Sequence, residues 1–369
     1  MSVIGSSPSR PDGAAKAGGS AIYGDDFALP GMLYGATLRS PHPHARIVHR
    51  AFDPEGAPEG TVYVDADSLP GPNGVLLLDD SWPILAASEV RHVGEAVALV
   101  AAPSRRRARR ALEAVEVEYE PLPAVLDLDR AASEEPICEL AFGSDSVEEA
   151  LERSAHRVVG TYRTGYQEHI YIECQAMTAW FDDGRLEVIG SMQCPYYVHK
   201  SLMHAFGLSE EGVRVRSSAV GGGFGGKEDY PSLIAVHAAL LAQVSGRPVR
   251  LAYDRHEDIV GTTKRHPCET KITAGVDAEG RLEALDIDVT MDGGAYTTLS
   301  PVVLSRALLH ASGGYRCPET RIRGRVLRTH TAPNGAFRGF GAPQTQFAVE
   351  RQIDRIAADR GLAPGELRG

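Results

Sequence analysis

The sequence predicts a mixed α/β (α+β) fold in two parts, on three observations. Short apolar runs rich in β-branched residues alternate with stretches of helical period. A stretch near 125–145, rich in acidic and small residues, has neither period. Two glycine-rich segments, 221–226 and 335–341, mark places where backbone must turn sharply or approach something closely.

In chain order, residues 1–20 carry Gly, Ser, Pro and Ala without an apolar period and read as a loose arm, with 1–15 set apart from the first domain. ARIVHRAF (45–52), TVYVDA (61–66) and EAVALVAA (95–102) read as strands. SRRRARRALEA (104–114) reads as a helix with its arginines outward, followed at once by the strand VEVEYE. Residues 16–128 therefore form one α/β domain and 129–145 a linker. In the second domain, 146–369, YRTGYQEHIYIECQAMTAWF and RLEVIGSMQ are strand-like, with a helix near 197–206. KITAGVDAEGRLEALDIDVT reads as a hairpin turning at Asp277–Gly280. FAVERQIDRIAADRGL has helical period, with Phe347, Val349, Ile353, Ile356 and Ala357 on one face.

Composition narrows the function classes. With 369 residues, 43% apolar and 24% charged, the chain has the make-up of a globular protein. A net charge of −11 speaks against a nucleic-acid groove. The run Arg105, Arg106, Arg107, Arg109, Arg110 has no interleaved aromatics and reads as a solvated helix face or a subunit contact. Cys138, Cys174, Cys194, Cys268 and Cys317 form no C-x-x-C pair, which argues against a zinc site or iron–sulfur cluster closed by this chain. An odd, scattered set fits reduced thiols and a cytoplasmic location. No secretory h-region and no long apolar span is expected.

The most informative segment is GGGFGGKE, residues 221–228, between the strand VRVRSSAV and the helix DYPSLIAVHAALLAQVSG. Pro231 stands in that helix's first turn and Gly246 just past its end. Such a turn presents backbone N–H groups and a helix N-terminus to an anion or an oxygen-rich cofactor. Gly221, Gly223 and Gly226 satisfy G-x-G-x-x-G, and Gly221–Lys227 satisfies G-x-x-x-x-G-K. Glu228, however, stands where a phosphate loop needs Ser or Thr, and Asp254 is a loose fit to a ribose ligand. Nucleotide binding and a ligand-free turn stay open as rival readings. The second segment, NGAFRGFGAPQ (334–344), offers the donor fork of Arg338 and two phenylalanines, Phe337 and Phe340, able to clamp a flat ligand. Together the two segments suggest a large, oxygen-rich cofactor between them.

GGGFGGKE followed by AFRGFGAPQ resembles the signature pair of the molybdenum hydroxylases, the xanthine dehydrogenase and aldehyde oxidase family. RPDGAAKAGGSAIYGDDFALPGMLYGATLRSPHPHARI resembles the start of that family's molybdenum-binding subunit, and GYQEHIYIE (165–173) its Q-E-H-x-Y-x-E segment. The resemblance covers essentially the whole chain. It implies an α/β hammerhead domain over 16–128, then the first molybdopterin-binding domain over 146–369. It implies Gln193 beside a molybdenum oxo group, and Gly223, Phe224, Gly225 and Arg338 against the cofactor. Glu228 and Arg306 then face each other across a substrate pocket, with Phe337 and Phe340 beside the substrate ring. Aldehyde-oxidising relatives tend to be apolar at those two charged places. The pair therefore implies a purine or related oxo-N-heterocycle, hydroxylated with oxygen from water.

The cofactor implied is molybdenum–molybdopterin, with the cytosine dinucleotide form among its variants, and no protein residue bonds the metal directly. Electrons leave through [2Fe-2S] clusters and FAD on partner subunits. The family's general-base glutamate lies in a later segment, so this chain carries no such residue and is expected to be inactive alone. The expected partners are a C-terminal-half molybdopterin subunit, an iron–sulfur subunit and a flavin subunit, with neither nucleic acid nor membrane. A natural split of the large subunit, as in nicotinate dehydrogenases, is the favoured account of the length. An aldehyde or carbon monoxide type oxidoreductase and a non-catalytic cofactor-storage protein are the alternatives.

Overall fold

The apolar runs pair into three sheets. In this computed structural model residues 4–133 and 135–368 are described; residues 1–3 of the expected arm, Glu134 of the expected linker and Gly369 lie outside them. The chain begins with α1 (Gly13–Ala17), β1 (Leu33–Arg39), β2 (Ala45–Phe52), β3 (Val62–Asp65), β4 (Glu89–Val90), β5 (Ala96–Ala102), α2 (Arg105–Ala111) and β6 (Val115–Pro121). It continues with α3 (Leu128–Ala131), β7 (Cys138–Gly143), α4 (Val147–Arg153), β8 (His156–Thr164), β9 (Ala176–Asp182), β10 (Arg185–Gly190), α5 (Pro195–Phe206) and β11 (Val213–Ser217). Then come α6 (Pro231–Ser245), β12 (Val249–Ala252), α7 (Arg255–Gly261), β13 (Cys268–Val276), β14 (Leu282–Gly294), α8 (Ser300–Leu309), β15 (Glu319–Arg328), α9 (Ala342–Asp359) and α10 (Pro364–Arg368).

A seven-stranded sheet has the order β11-β10-β9-β12-β1-β5-β3, a five-stranded sheet β7-β15-β14-β13-β8, and a small one β4-β2-β6. The helix α6 is apolar nearly all round, and its residues from Pro231 to Ala242 are all buried in the core of the largest sheet, among Leu99, Met177, Leu186 and Leu251. A second core joins the five-stranded sheet to α8 and α9 through Ile272, Leu285, Ile287, Leu304, Leu308 and Ile353. The expected hairpin is β13–β14: Asp277 accepts from the N–H groups of Glu279 and Arg281, and Gly280 takes a φ of +91°. Among the described residues no helix is long and apolar enough to cross a membrane.

Three expectations are corrected, and the two expected parts share one sheet. The large sheet crosses the boundary expected near residue 128, because β1 pairs in parallel with β12, from Leu33↔Val249 to Gly35↔Leu251. The stretch 129–145 is not a bare linker: β7 pairs antiparallel with β15 from Cys138↔Val326 to Gly143↔Arg321. The run 162–181 is broken, since β8 ends at Thr164 and β9 starts at Ala176, with QEHIYIE in the loop between. On α9 the buried stripe is Ala348, Val349, Gln352, Ile353, Ile356 and Ala357, while Phe347 is exposed.

Candidate active site

The loop between β11 and α6 folds on itself through Gly226 N–H to Gly223 O (2.7 Å) and Glu228 N–H to Gly225 O (3.0 Å). Gly222 and Gly225 take φ of +100°, and Phe224 takes +52°, a conformation unusual for a residue with a Cβ. The Oε1 of Gln193 accepts from the N–H groups of Gly225 (3.0 Å) and Lys227 (3.3 Å). Its amide N–H₂ group, which has no partner among the described residues, is left as a donor for a ligand. Gly223 has no room for a side chain, because a Cβ would overlap Gln193.

Lys227 is fully buried and donates to Glu173 (2.8 Å) and to Ser191 Oγ (3.0 Å). Glu173 also accepts from Ser191 Oγ (2.7 Å) and from the N–H groups of Gly24 (2.9 Å) and Gly221 (2.6 Å). Burial alone would push the Glu173 carboxyl up, but Lys227 and the other donors outweigh it and hold it below its ordinary range. The lysine that fits a phosphate loop by letters is thus a staple between loop and scaffold. Asp254, the loose ribose match, caps α7 by accepting from Glu257 N–H (2.9 Å) and pairs with Arg109 (2.8 Å).

The second glycine segment zips onto the first. Arg338 N–H donates to Phe224 O (2.9 Å), and Gly225 passes so close that a Cβ would sit 2.6 Å from Ala336 O. The buried His169 donates from Nε2 to Ala336 O (2.8 Å) and stacks on Phe337 at 4.2 Å between centroids. The Arg265 guanidinium lies 3.9 Å from the same ring centroid and donates to Arg338 O (2.9 Å). Two groups that near one centroid cannot share a face, so both faces of Phe337 are covered. Phe337 therefore offers only its edge to a ligand, which corrects the expected two-ring clamp and leaves stacking to Phe340. Gly339, Phe340 and Gly341 take φ of +93°, +53° and +94° as the loop turns into α9.

The two loops and α8 line an open cavity of about 570 Å³. It is lined by Gln193, Phe224, Gly225, Glu228, Arg306, Phe337, Arg338 and Phe340, with Val302 and Gly339 completing the wall. Gly223 stands behind it, against Gln193. Arg306 and Val302 lie four residues apart on α8 and so share a face. Burial, and then the neighbouring Asp229 charge, push the Glu228 carboxyl up. Asp229 is itself fully buried and pushed up by burial; its Oδ1 accepts from Tyr230 N–H (2.8 Å) and Thr263 Oγ1 (3.1 Å). The sequence alone does not single out Glu173, His169, Arg265 or Val302 as site residues, and it offers Lys227 only as a motif letter. The QEHIYIE stretch is the one hint of Glu173 and His169.

Backbone donors, a free amide donor and Arg338, around glycines that admit close approach, suit an oxygen-rich anionic cofactor. Two family matches give the class, a molybdopterin cofactor-binding domain attached to a hammerhead domain. Residues 131–369 match the family described as molybdopterin cofactor-binding domain. Residues 18–123 match aldehyde oxidase and xanthine dehydrogenase, a/b hammerhead domain. The chain belongs to the molybdenum hydroxylases, the xanthine dehydrogenase and aldehyde oxidase family. It is 38% identical to a probable xanthine dehydrogenase subunit of Bacillus subtilis (strain 168), over 97% of this chain and 49% of that protein. It is 33% identical to the nicotinate dehydrogenase large molybdopterin subunit of Eubacterium barkeri, over 99% of this chain and 88% of that protein. Quinoline 2-oxidoreductase from Pseudomonas putida 86 superposes with a TM-score of 0.89 at 31% identity, over 99% of this chain and 49% of that one. The chain thus spans about half the length of the first of these relatives.

Proposed function

We propose that the chain is the part of a molybdenum hydroxylase that presents a purine or related oxo-N-heterocycle to the molybdenum cofactor. One observation carries the reading: Gln193, Glu228, Arg306 and Phe340 converge on a single cavity beside the paired glycine loops. Glu228 and Arg306 do not pair with each other among the described residues, so both remain available to a ligand. The raised carboxyl of Glu228 meets a ring nitrogen as donor or acceptor, Arg306 donates to a ring oxo group, and Phe340 stacks on the ring. Val302 offers an apolar contact to the ring.

Gln193, Gly223, Phe224, Gly225 and Arg338 would hold the cofactor, through the Gln193 amide N–H₂, the backbone N–H groups of Gly223 and Phe224 and the Arg338 guanidinium, with Gly225, whose own N–H is taken by Gln193, allowing close approach. Bound there, it supplies two-electron oxidation and a water-derived oxygen. Two of the relatives are named as subunits, and we infer that this chain likewise works with partner chains that carry iron–sulfur and flavin centres and a general base. The isolated chain then shows no turnover, and the five free cysteines suit a reducing cytoplasm.

The test uses the assembled enzyme. Metal and pterin analysis should find molybdenum and molybdopterin. Glu228→Val and Arg306→Met should each lower kcat/KM for xanthine or hypoxanthine ten- to a hundredfold, as expected for lost hydrogen bonds to charged groups, while aldehyde turnover holds. Equal losses on heterocycles and aldehydes would favour the aldehyde-type reading instead.

A further inference from the structure

A second crevice, about 560 Å³ in volume, shares no lining residue with the first. Its floor is the far half of β1. β12 accompanies β1 only to Gly35↔Leu251, whereas β5 pairs with β1 as far as Arg39. The β12 chain then turns off into α7, so Ala36–Arg39 has a strand on one edge alone. Leu33 donates its N–H to Pro248 O on the β12 edge. The alternation of a strand turns the N–H and C=O of Thr37 to that same edge, two residues past the last β12 pair. Thr37 is 7% exposed, and its Oγ1 is buried without a partner among the described residues. Above this floor stand Val93, Leu112 and Val260, with Arg105, Arg109 and His256 around them.

The charge on one wall needs an explanation. α2 packs five arginines into RRRARRA, and Arg105/Arg109 and Arg106/Arg110 are like-charge pairs one turn apart. Each pair destabilises an isolated helix by about 0.2–0.5 kcal/mol. Arg105 pairs with Asp25 and Arg109 with Asp254, both at exposed sites where such pairs contribute little and exchange readily. Arg106, Arg107 and Arg110 have no acidic partner among the described residues.

We propose that the crevice docks an extended, acidic polypeptide segment of a partner subunit. The segment's backbone adds a short strand to the open edge of β1, and its carboxylates meet Arg105 and Arg109, the two α2 arginines that line the crevice, in exchange for their exposed partners. A small anion would answer the arginines but leave the β1 edge unpaired. A nucleic-acid backbone has no N–H and C=O ladder to pair with the β1 edge and carries a charge at every unit, whereas an alternating peptide can set apolar residues beside Asp254 and Glu257, which also line the crevice. The proposal rests on the partner-chain reading above but not on any substrate.

A fluorescent peptide of alternating glutamate and valine probes it. The expected result is saturable binding with slowed amide exchange at Thr37–Arg39. Affinity should fall at least tenfold when Arg105→Glu and Arg109→Glu are combined, and also when the peptide is interrupted by proline. Both substitutions are at exposed positions, and circular dichroism checks that the fold survives. Equal binding of the proline-interrupted peptide, or of a lysine–valine peptide, would overturn the proposal. In the assembled enzyme the same amides should be protected. An assembly that forms with β1 exchange unchanged overturns the docking site but leaves the partner reading standing; failure of any assembly to form overturns both.

Discussion

Lys227 shows how far letters can mislead at the scale of one residue. It stands where a phosphate-binding lysine would, yet it is fully buried and spends its charge on Glu173. Nothing near GGGFGGKE announces that partner, which lies 54 residues earlier. The same holds for Phe337, whose covering groups His169 and Arg265 come from two distant loops. The cavity residues on the second glycine loop, Phe337, Arg338 and Phe340, were legible because glycine patterns are local; Gln193 and Arg306 were reached only through the family resemblance, and the groups that hold the loops were not legible, because tertiary pairing leaves no spacing signal. Replacing the fully buried Lys227 with Met leaves the part-buried Glu173 without its cation, and losing a hydrogen bond to such a charged group costs about 1.5–3 kcal/mol. Urea denaturation should show that loss, and adding Glu173→Gln to Lys227→Met should recover part of it. A change below about 1 kcal/mol would mean the pair is not a staple.

Elements reveal a different limit. The helices α6 and α9 and the hairpin β13–β14 announce themselves through period and turn chemistry, and their ends fall within a few residues of expectation. The strand β7 does not, because its residues from Glu139 to Gly143 are exposed and give no alternation to read. The two glycine loops lie between these cases: their turns are legible, their mutual contact is not. That contact can be isolated by comparing two glycines. Gly184 has a φ of +77° and open space around it, so Gly184→Ala costs only backbone strain, about 1 kcal/mol. Gly225 has a φ of +100° and an Ala336 oxygen 2.6 Å from where a Cβ would be. Gly225→Ala should therefore lower the thermal midpoint clearly more than Gly184→Ala. Equal shifts would show that the loops do not depend on each other's backbone.

Across the whole molecule, the two parts expected from the sequence are sewn together by buried polar groups. His237 on α6 reaches Ile84 O (2.7 Å), and Tyr296 donates to Glu95, 201 residues away. Within the second part, His266 meets Ser300 Oγ at the start of α8 (2.8 Å). Burial pulls His92 down to about 4 and His237 and His266 to about 3, from an ordinary 6.5. These rings are neutral in the fold, whereas the unfolded chain takes up protons below about 6.5. Their contribution is therefore complete above that pH and is lost as pH falls toward 4. Glu95 acts the other way: burial raises it from 4.5 to about 7, so it stays protonated in the fold while the unfolded carboxyl ionises. Its contribution is present at low pH and lost as pH rises toward 7. Between about pH 5 and 6 three histidines oppose one glutamate, each worth about 1.4 kcal/mol per pH unit. The buried Asp229, Asp258 and Asp292 are pushed up by burial as well and act in the same direction as Glu95, so each group is read by difference. His237→Gln, which keeps a donor for Ile84 O but cannot titrate, should lower the slope of urea midpoints against pH between 5 and 6 relative to the unaltered chain, and Glu95→Gln should raise it. A His237→Gln slope equal to that of the unaltered chain would show that this ring is not held neutral in the core.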